Sequence, residues 1–214
     1  LGRVEKLRGI PNKFMSLSRL TLTLVKAIFP KVFFHSDTLF VGGLNQRDKI
    51  TRKYSKEVVF GHSWDYDKFL KEKEDKKVHQ KPYAVFLDQD FVYHPNYKWM
   101  GINPYVTHQK YFKALEHFFT YYEKKTGVEV IIAAHPRANE TIYSNAFMRR
   151  KVIFGETTNL VKGSEQVFHH LSSALSYVIL SKKKFILIKT DEMAEERLMK
   201  TFTLISNYFN HKII

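Results

Sequence analysis

The sequence predicts an α/β fold in which a parallel sheet is covered by helices on both faces. The first observation is that short, unbroken apolar segments recur along the second half of the chain. Such segments are typical of strands that are buried on both faces. The second observation is that amphipathic segments separate them, and a parallel sheet needs a crossover, usually a helix, between successive strands. The predicted architecture is therefore a Rossmann-like sheet.

The first 80 residues are predicted to contain two strands and two helices. In chain order these are a helix over 12–27, a strand over 37–43, a strand over 57–63 and a helix over 64–75. Residues 71–82 (KEKEDKKVHQKP) are the most polar stretch of the chain and end in a proline, so we interpret them as a linker. This interpretation predicts one domain over 1–80, itself the end of a longer amino-terminal Rossmann-like domain, and a second over 81–214.

Strands and helices alternate regularly after the linker. The predicted strands cover 83–89, 128–136, 151–155, 166–172 and 184–190. The predicted helices cover 107–127, 158–164 as a short helix or turn, 173–183 and 191–210. Thr107 and Asp191 are placed where residues that cap helix amino termini are found, and Gly127 is placed where a helix is expected to end.

Composition limits the function classes. The chain has no Cys, which excludes disulfides and thiolate metal sites, and no uncharged apolar run reaches the ~20 residues of a membrane span. The 35 Lys and Arg exceed the 21 Asp and Glu and give a net charge of +14. This charge indicates an anionic partner, such as nucleic acid, an anionic lipid surface or a phosphorylated substrate, although solubility alone also explains it.

Polar residues follow each predicted strand after residue 80. They are Asp88 and Asp90 after the first strand, His135-Pro136-Arg137 after the second, Glu156 after the third, and His170, Ser172 and Ser173 after the fourth. Open parallel sheets bind ligands beyond the carboxyl ends of their strands. The sequence therefore predicts a ligand site at this edge of the sheet.

The serine pair at this edge predicts an anion site. Ser172 and Ser173 directly precede a predicted helix, whose first N–H groups lack partners and carry partial positive charge. Small hydroxyl residues let a phosphate approach those donors, and His135 and Arg137 can add side-chain donors. The alternative is that Ser172 only caps the helix and His135 is satisfied within its own loop.

Several common site types have no counterpart in the chain. The patterns GxGxxG, GxxxxGK[ST] and GxSxG are absent, which disfavours dinucleotide oxidoreductases, P-loop hydrolases and enzymes with a serine nucleophile elbow. The one close histidine pair, His169-His170, is adjacent in a predicted strand, so its two rings point to opposite faces. No metal site is expected.

The order of LDQD, AAHPR, GET and HHLSSAL in one α/β frame resembles the carboxyl-terminal half of bacterial GT-B glycosyltransferases that build surface polysaccharides. The most similar members are capsule polysialyltransferases and Kdo transferases, and the resemblance covers about residues 80–190. Their HP motif corresponds to His135-Pro136 and their serine motif to Ser172-Ser173. The resemblance implies that 37–70 ends the amino-terminal half, with Gly42, Gly43 and His62 at the cleft.

The resemblance implies transfer of a sugar from a nucleotide-sugar donor, expected to be CMP-activated, to a growing surface polysaccharide or a lipid-linked glycan. The acidic catalytic motif of the family's amino-terminal half has no equivalent here, so catalysis is assigned by position: Asp88 or Asp90, at the interdomain edge, as acid/base or nucleophile, and His135 as a donor to the leaving phosphate. Nucleotide and phosphate binding is assigned to His135, Pro136, Arg137, Glu156, His170, Ser172 and Ser173. No cofactor, metal or nucleic acid is expected.

The expected location is the cytoplasm, with peripheral contact to the anionic inner face of the membrane. The alternatives are a UDP-sugar-using GT-B enzyme and a non-catalytic nucleotide- or nucleic-acid-binding module.

Overall fold

The structure, a computed structural model, describes residues 36–42, 55–72, 78–147, 149–210 and 213–214. The chain divides into two compact units, Leu1–Ser63 and Trp64–Ile214. The predicted helix over 12–27, Gly43 and residues 73–77 of the predicted linker lie outside the described residues. In the first unit, the two predicted strands are present as β1 (Ser36–Gly42) and β2 (Ser55–Gly61), and they pair in parallel.

The division after Ser63 lies upstream of the boundary predicted near residue 80. Helix α1 (Trp64–Lys71) belongs to the second unit because its last turn is held by a lysine from a later segment. The ammonium group of Lys162 donates to the carbonyl oxygens of Phe69 at 3.0 Å and Glu72 at 2.8 Å. Composition identified the polar stretch after α1, but it carries no information on this long-range contact.

The second unit is built on a five-stranded parallel sheet, which confirms the predicted α/β fold class. Its strands are β3 (Tyr83–Leu87), β4 (Glu129–Ala133), β5 (Val152–Ile153), β6 (Gln166–His169) and β7 (Phe185–Leu187). The order across the sheet is β5-β4-β3-β6-β7, and every neighbouring pair is parallel. The central strand β3 is buried along its whole length, as its unbroken apolar sequence predicts.

Helices connect and flank these strands. After α1 they are α2 (Asn96–Met100), α3 (His108–Thr126), α4 (Glu140–Ala146), α5 (Thr157–Gly163), α6 (Leu175–Leu180) and α7 (Glu196–Phe209). Helices α2 and α4 are absent from the predicted elements because each is shorter than the ~11–18 residues over which a helical hydrophobic pattern is recognised. Gly127 ends α3 in the left-handed conformation with φ 71°, as predicted.

One of the two predicted helix caps is confirmed and the other is wrong. Thr107 is the amino-terminal cap residue of α3, although its hydroxyl donates to a carboxylate oxygen of Glu192 at 2.9 Å instead of bonding to the helix. Asp191 does not start the last helix. The amino-terminal cap of α7 is Glu195, whose carboxylate accepts the N–H of Leu198 at 2.9 Å. The error at Asp191 arises because several polar residues precede α7 and sequence spacing alone does not choose among them.

Aromatic packing attaches a helix to one face of the sheet, and a buried hydrogen bond attaches a helix to the other. Phe86 of β3 and Phe168 of β6 are register partners on one face, where they meet α3 through Phe119, 5.2 Å from the Phe86 ring centroid. Tyr83 is an odd number of residues from Phe86 and therefore points to the opposite face. There its hydroxyl donates to the carbonyl oxygen of Leu160 in α5 at 2.9 Å.

The strand order creates a crevice at one defined place. The chain runs outward from β3 through β4 to β5, and then returns to pair β6 with the other side of β3. The crossover from β3 to β4 and the crossover from β6 to β7 therefore run in opposite directions across the sheet. In open α/β sheets, ligands bind beyond the carboxyl ends of the strands at such a switch point. The candidate site is expected above the ends of β3 and β6.

The contact between α5 and β3 gives a first test. A Cβ atom at Gly163 would lie 2.5 Å from the hydroxyl oxygen of Tyr83, a buried side chain with little room to move. We expect Gly163→Ala to lower the free energy of unfolding by about 1–2 kcal/mol through overpacking. Tyr83→Phe removes the atom in conflict, so the double variant should lose less than the sum of the two single variants in urea denaturation. Strict additivity would contradict the predicted clash.

Candidate functional site

A cavity of about 230 Å³ lies at the carboxyl edge of the sheet, at the switch point. Residues that follow three strands line it: Asp88 after β3, His135 and Pro136 after β4, and Ser172 and Ser173 after β6. These residues are distant in sequence, and the parallel sheet brings them together because the three strands end at the same edge. The rest of the lining is Asp65, Lys68, Leu87, Ala133, Ala134, Thr157, Ala174 and Tyr177.

Asp88 is the buried carboxyl of the cavity, with 4% of its surface exposed. Its Oδ2 accepts two backbone N–H groups, that of Asp90 at 3.1 Å and that of His135 at 3.3 Å. No described residue bonds to its Oδ1. Burial raises the pKa of the Asp88 carboxyl to about 7, although the backbone N–H groups of Asp90, His135 and Gln89 oppose the shift. At neutral pH this group can therefore release or accept a proton.

His135 is half-buried and has a defined proton arrangement. Its Nδ1 accepts the backbone N–H of Arg137 at 3.2 Å, so the neutral ring carries its proton on Nε2. Burial lowers the pKa of His135, and the neighbouring ring of His94, 4.9 Å away between centroids, acts in the same direction. His135 is therefore a neutral hydrogen-bond donor at pH 7.

The serine pair lies in a tight turn before α6. The backbone N–H of Ala174 bonds to Oγ of Ser172 at 3.3 Å, and the N–H of Leu175 bonds to the carbonyl oxygen of Ser172 at 3.1 Å. The next N–H group, that of Ser176, bonds to the carbonyl oxygen of Ser173. The prediction that a helix starts at Ser173 is wrong, because α6 begins at Leu175 and the turn before it uses the N–H groups of Ala174, Leu175 and Ser176. The serine pair therefore presents its two hydroxyls to the cavity as donors.

Helix α1 supplies a wall of the cavity that sequence analysis missed. Asp65 accepts the hydroxyl of Ser176 at 2.6 Å and the hydroxyl of Tyr177 at 3.1 Å, which joins α1 to α6. Lys68, one turn further along α1, lines the same cavity and adds a cation to it. No local pattern could have revealed this contact, because the two helices are more than a hundred residues apart.

Asp90 is not part of the cavity lining. It is fully buried, with φ 54°, and its Oδ1 accepts the hydroxyl of Tyr143 at 2.6 Å and the N–H of Tyr93 at 3.2 Å. Its left-handed backbone and its two partners indicate that it holds the loop after β3 in place. The carboxyl available to a ligand at this strand end is that of Asp88.

His170 is excluded from contact with a ligand, contrary to the prediction. It is completely buried, its Nδ1 lies 2.7 Å from the carbonyl oxygen of Ile188, and its Nε2 lies 3.0 Å from the hydroxyl of Tyr111. Burial lowers the pKa of His170 to about 4, so the ring is neutral in the folded protein. It belongs to the core beneath the site.

Arg137 and Glu156 lie next to the cavity without lining it. Arg137 is exposed, and its described bond is the one from its backbone to His135. Glu156 is half-buried at the start of α5, where its carboxylate accepts the amide of Asn159 at 2.8 Å. Its neighbour Thr157 reaches the lining instead.

The cavity thus combines hydroxyl, imidazole and ammonium donors with one carboxyl that titrates near neutral pH. This arrangement suits an oxyanion ligand whose charge changes during a reaction. Among the described residues, no three His, Asp or Glu side chains group together as a metal ion would require. Every helix in the described part of the chain is too short or too polar to cross a bilayer.

The chain was compared with known proteins at three levels. No family model, no curated protein and no solved structure matches it. The resemblance to GT-B glycosyltransferases thus depends on the ordered motifs alone and stays a prediction.

Proposed function

We propose that this chain binds a nucleotide-activated sugar, with CMP as the nucleotide, and transfers the sugar to a glycan acceptor. One observation carries the proposal: Asp88, His135 and the Ser172-Ser173 pair line one cavity at the switch point of the sheet. The GT-B resemblance places the nucleotide at His135 and the serine pair, and Asp88 is the carboxyl next to them.

The donors of the cavity support a role in stabilising a leaving phosphate. When the bond between sugar and phosphate breaks, negative charge collects on the phosphate oxygens. Donors already in place, such as the Nε2–H of His135 and the hydroxyls of Ser172 and Ser173, stabilise that charge without reorganisation. Lys68 adds a positive charge on the side of α1.

The size of the cavity supports a phosphoryl subsite. Its volume of about 230 Å³ is below the ~300–1,000 Å³ typical of whole small-molecule sites. A phosphate with part of its ribose is the matching fragment, and the remaining nucleotide and sugar would extend along the sheet edge. The net charge of +14 also favours an anionic donor, an anionic glycan and a peripheral position on an anionic membrane.

Nucleotide titration tests the proposal. We expect calorimetry to detect CMP binding and to find UDP, CDP and GDP clearly weaker. His135→Ala should weaken CMP binding by about tenfold, the loss of one hydrogen bond to a charged group. His117→Ala, an exposed imidazole on α3 outside the cavity lining, is the matched control and should bind as wild type does.

The outcomes separate the alternatives. Preferred binding of UDP would identify a UDP-sugar-using enzyme. A protein that binds a nucleotide, but releases none from a nucleotide sugar when a glycan acceptor is present, would be a non-catalytic module. A protein that binds none of the four nucleotides would refute the proposed function.

A further inference from the structure

The two oxygens of the Asp88 carboxyl have different environments. Oδ2 accepts the N–H groups of Asp90 and His135, as the carbonyl oxygen of a protonated carboxylic acid does. Oδ1 is buried and bonds to no described residue, and Asp88 lines the cavity. A buried polar atom without a partner is costly unless a ligand satisfies it. A proton on this carboxyl would therefore reside on Oδ1 and require an acceptor from the ligand.

Burial and the charge of Asp90 disfavour the ionised form of the Asp88 carboxyl. Asp90 lies in the same loop, and its negative charge raises the pKa of Asp88 after the larger effect of burial. The phenols of Tyr111 on α3 and Tyr143 on α4 also face it, and the charge of Asp88 raises the pKa of each, although burial is the main cause. The remaining titratable neighbours are His135, with its Nε2–H, and Asp65 and Lys68 of α1 at the cavity.

An anionic ligand in this cavity would meet a second negative charge if Asp88 were ionised. The oxygens of a phosphodiester or of sulfate carry no proton near neutral pH and act only as acceptors. An ionised Oδ1 would offer such an oxygen a lone pair, which is a repulsive contact at short range. A protonated Oδ1 would offer it a hydrogen bond, in addition to those from Ser172 and Ser173.

We propose that Asp88 takes up one proton from solvent when the cavity binds a phosphoryl or sulfate anion, and that Oδ1 then donates a hydrogen bond to that anion. The choice of a phosphoryl ligand rests on the proposed function. The pKa of about 7 means that this proton uptake is small below pH 7 and approaches one proton at about pH 8.

Calorimetric titration with sulfate tests this coupling, because sulfate itself does not titrate over the range used. Wild-type protein is titrated at pH 6, 7 and 8 in buffers with different heats of ionisation, which gives the number of protons taken up. We expect uptake to rise from near zero at pH 6 toward one at pH 8. The affinity for sulfate should fall by up to about tenfold per pH unit above pH 7.

Asp88→Asn is the matched variant, since it keeps the shape of the side chain and never ionises. It should bind sulfate without proton uptake, and between pH 7 and 8 its affinity should stay constant. At pH 8 it should bind about tenfold more tightly than wild type. If Asp88→Asn does not fold, the test remains valid, because the buffer series measures proton uptake with wild-type protein alone.

Three results would overturn the inference. They are pH-independent binding by wild type, release rather than uptake of protons, and equal uptake in Asp88→Asn. If CMP binds as proposed while sulfate binding shows no proton uptake, the inference fails and the proposed function stands. If neither CMP nor sulfate binds, both fail.

Discussion

Asp88→Asn is expected to raise the free energy of unfolding at pH 8 by about 2–3 kcal/mol. Burial raises the pKa of this carboxyl from 3.8 to about 7, so ionisation destabilises the folded state by up to about 4 kcal/mol above pH 7. The introduced amide has no partner at the position of Oδ1, which reduces the gain by about 1 kcal/mol. A gain of stability at the loss of a site residue is common at functional sites.

The pH dependence makes this prediction specific. Because the folded pKa of Asp88 exceeds its unfolded value, its stabilising contribution is complete near pH 4 and disappears as the pH rises toward 7. The two proteins should therefore differ by no more than about 1 kcal/mol at pH 4. His170 acts in the opposite direction, since its folded pKa of about 4 lies below 6.5 and its contribution is lost as the pH falls from 6.5 to 4.

These opposing effects predict two different stability profiles. In wild type they offset each other between pH 4 and 6.5, which gives a shallow profile. In Asp88→Asn the effect of Asp88 is absent and that of His170 remains, which should lower stability by about 3 kcal/mol as the pH falls over the same range. Urea denaturation at pH 4, 5, 6, 7 and 8 measures both. Parallel profiles for the two proteins would show that Asp88 is ionised at neutral pH.

Arg150→Met is expected to lower the free energy of unfolding by about 3 kcal/mol. The side chain of Arg150 is 6% exposed and forms ion pairs with Glu116 and Glu123 of α3, the latter at 2.7 Å. Its guanidinium lies 5.2 Å from the centroid of the Phe119 ring. Burial tends to raise the pKa of Glu116, but the charge and hydrogen bonds of Arg150 outweigh it and hold that pKa below its usual value. Removal of Arg150 leaves two neighbouring carboxylates without their cation.

Arg149→Met is the matched control in this pair. Arg149 also contacts Glu116, at 3.3 Å, but its side chain is 82% exposed and solvent screens the interaction. We expect it to change the free energy of unfolding by less than about 0.5 kcal/mol. Adding Glu116→Gln to Arg150→Met should recover part of the loss. Equal destabilisation by the two arginine variants would contradict a role that depends on burial.

The position of the site residues at one edge of the sheet was predictable from a simple property of parallel sheets. Each buried strand is a short apolar run, and the polar residues after β3, β4 and β6 must meet at one edge. For this reason sequence analysis placed Asp88, His135 and Ser172 near one another, and the cavity is lined by all three. Their chemical roles stay predictions, because sheet geometry constrains position and not reactivity.

The remaining features depend on contacts that leave no local pattern. The strand pattern could not show that His170 faces the core beneath the site while Ser172 reaches the cavity. The turn that uses the N–H groups after Ser172 is shorter than a helical period, so it was predicted as the start of a longer helix. Lys68 reaches the site because α1 is attached through the bonds of Asp65 to α6 and those of Lys162 to its last turn.

The attachment of α1 has a consequence for how this chain can be divided and recombined. A fragment that begins at Tyr83 would keep the complete sheet, yet it would leave the Lys162 ammonium without its two carbonyl acceptors and Ser176 without Asp65. The cavity would also lose Lys68. A chimaera or excised domain that retains the properties of this sheet edge must therefore be joined upstream of Trp64.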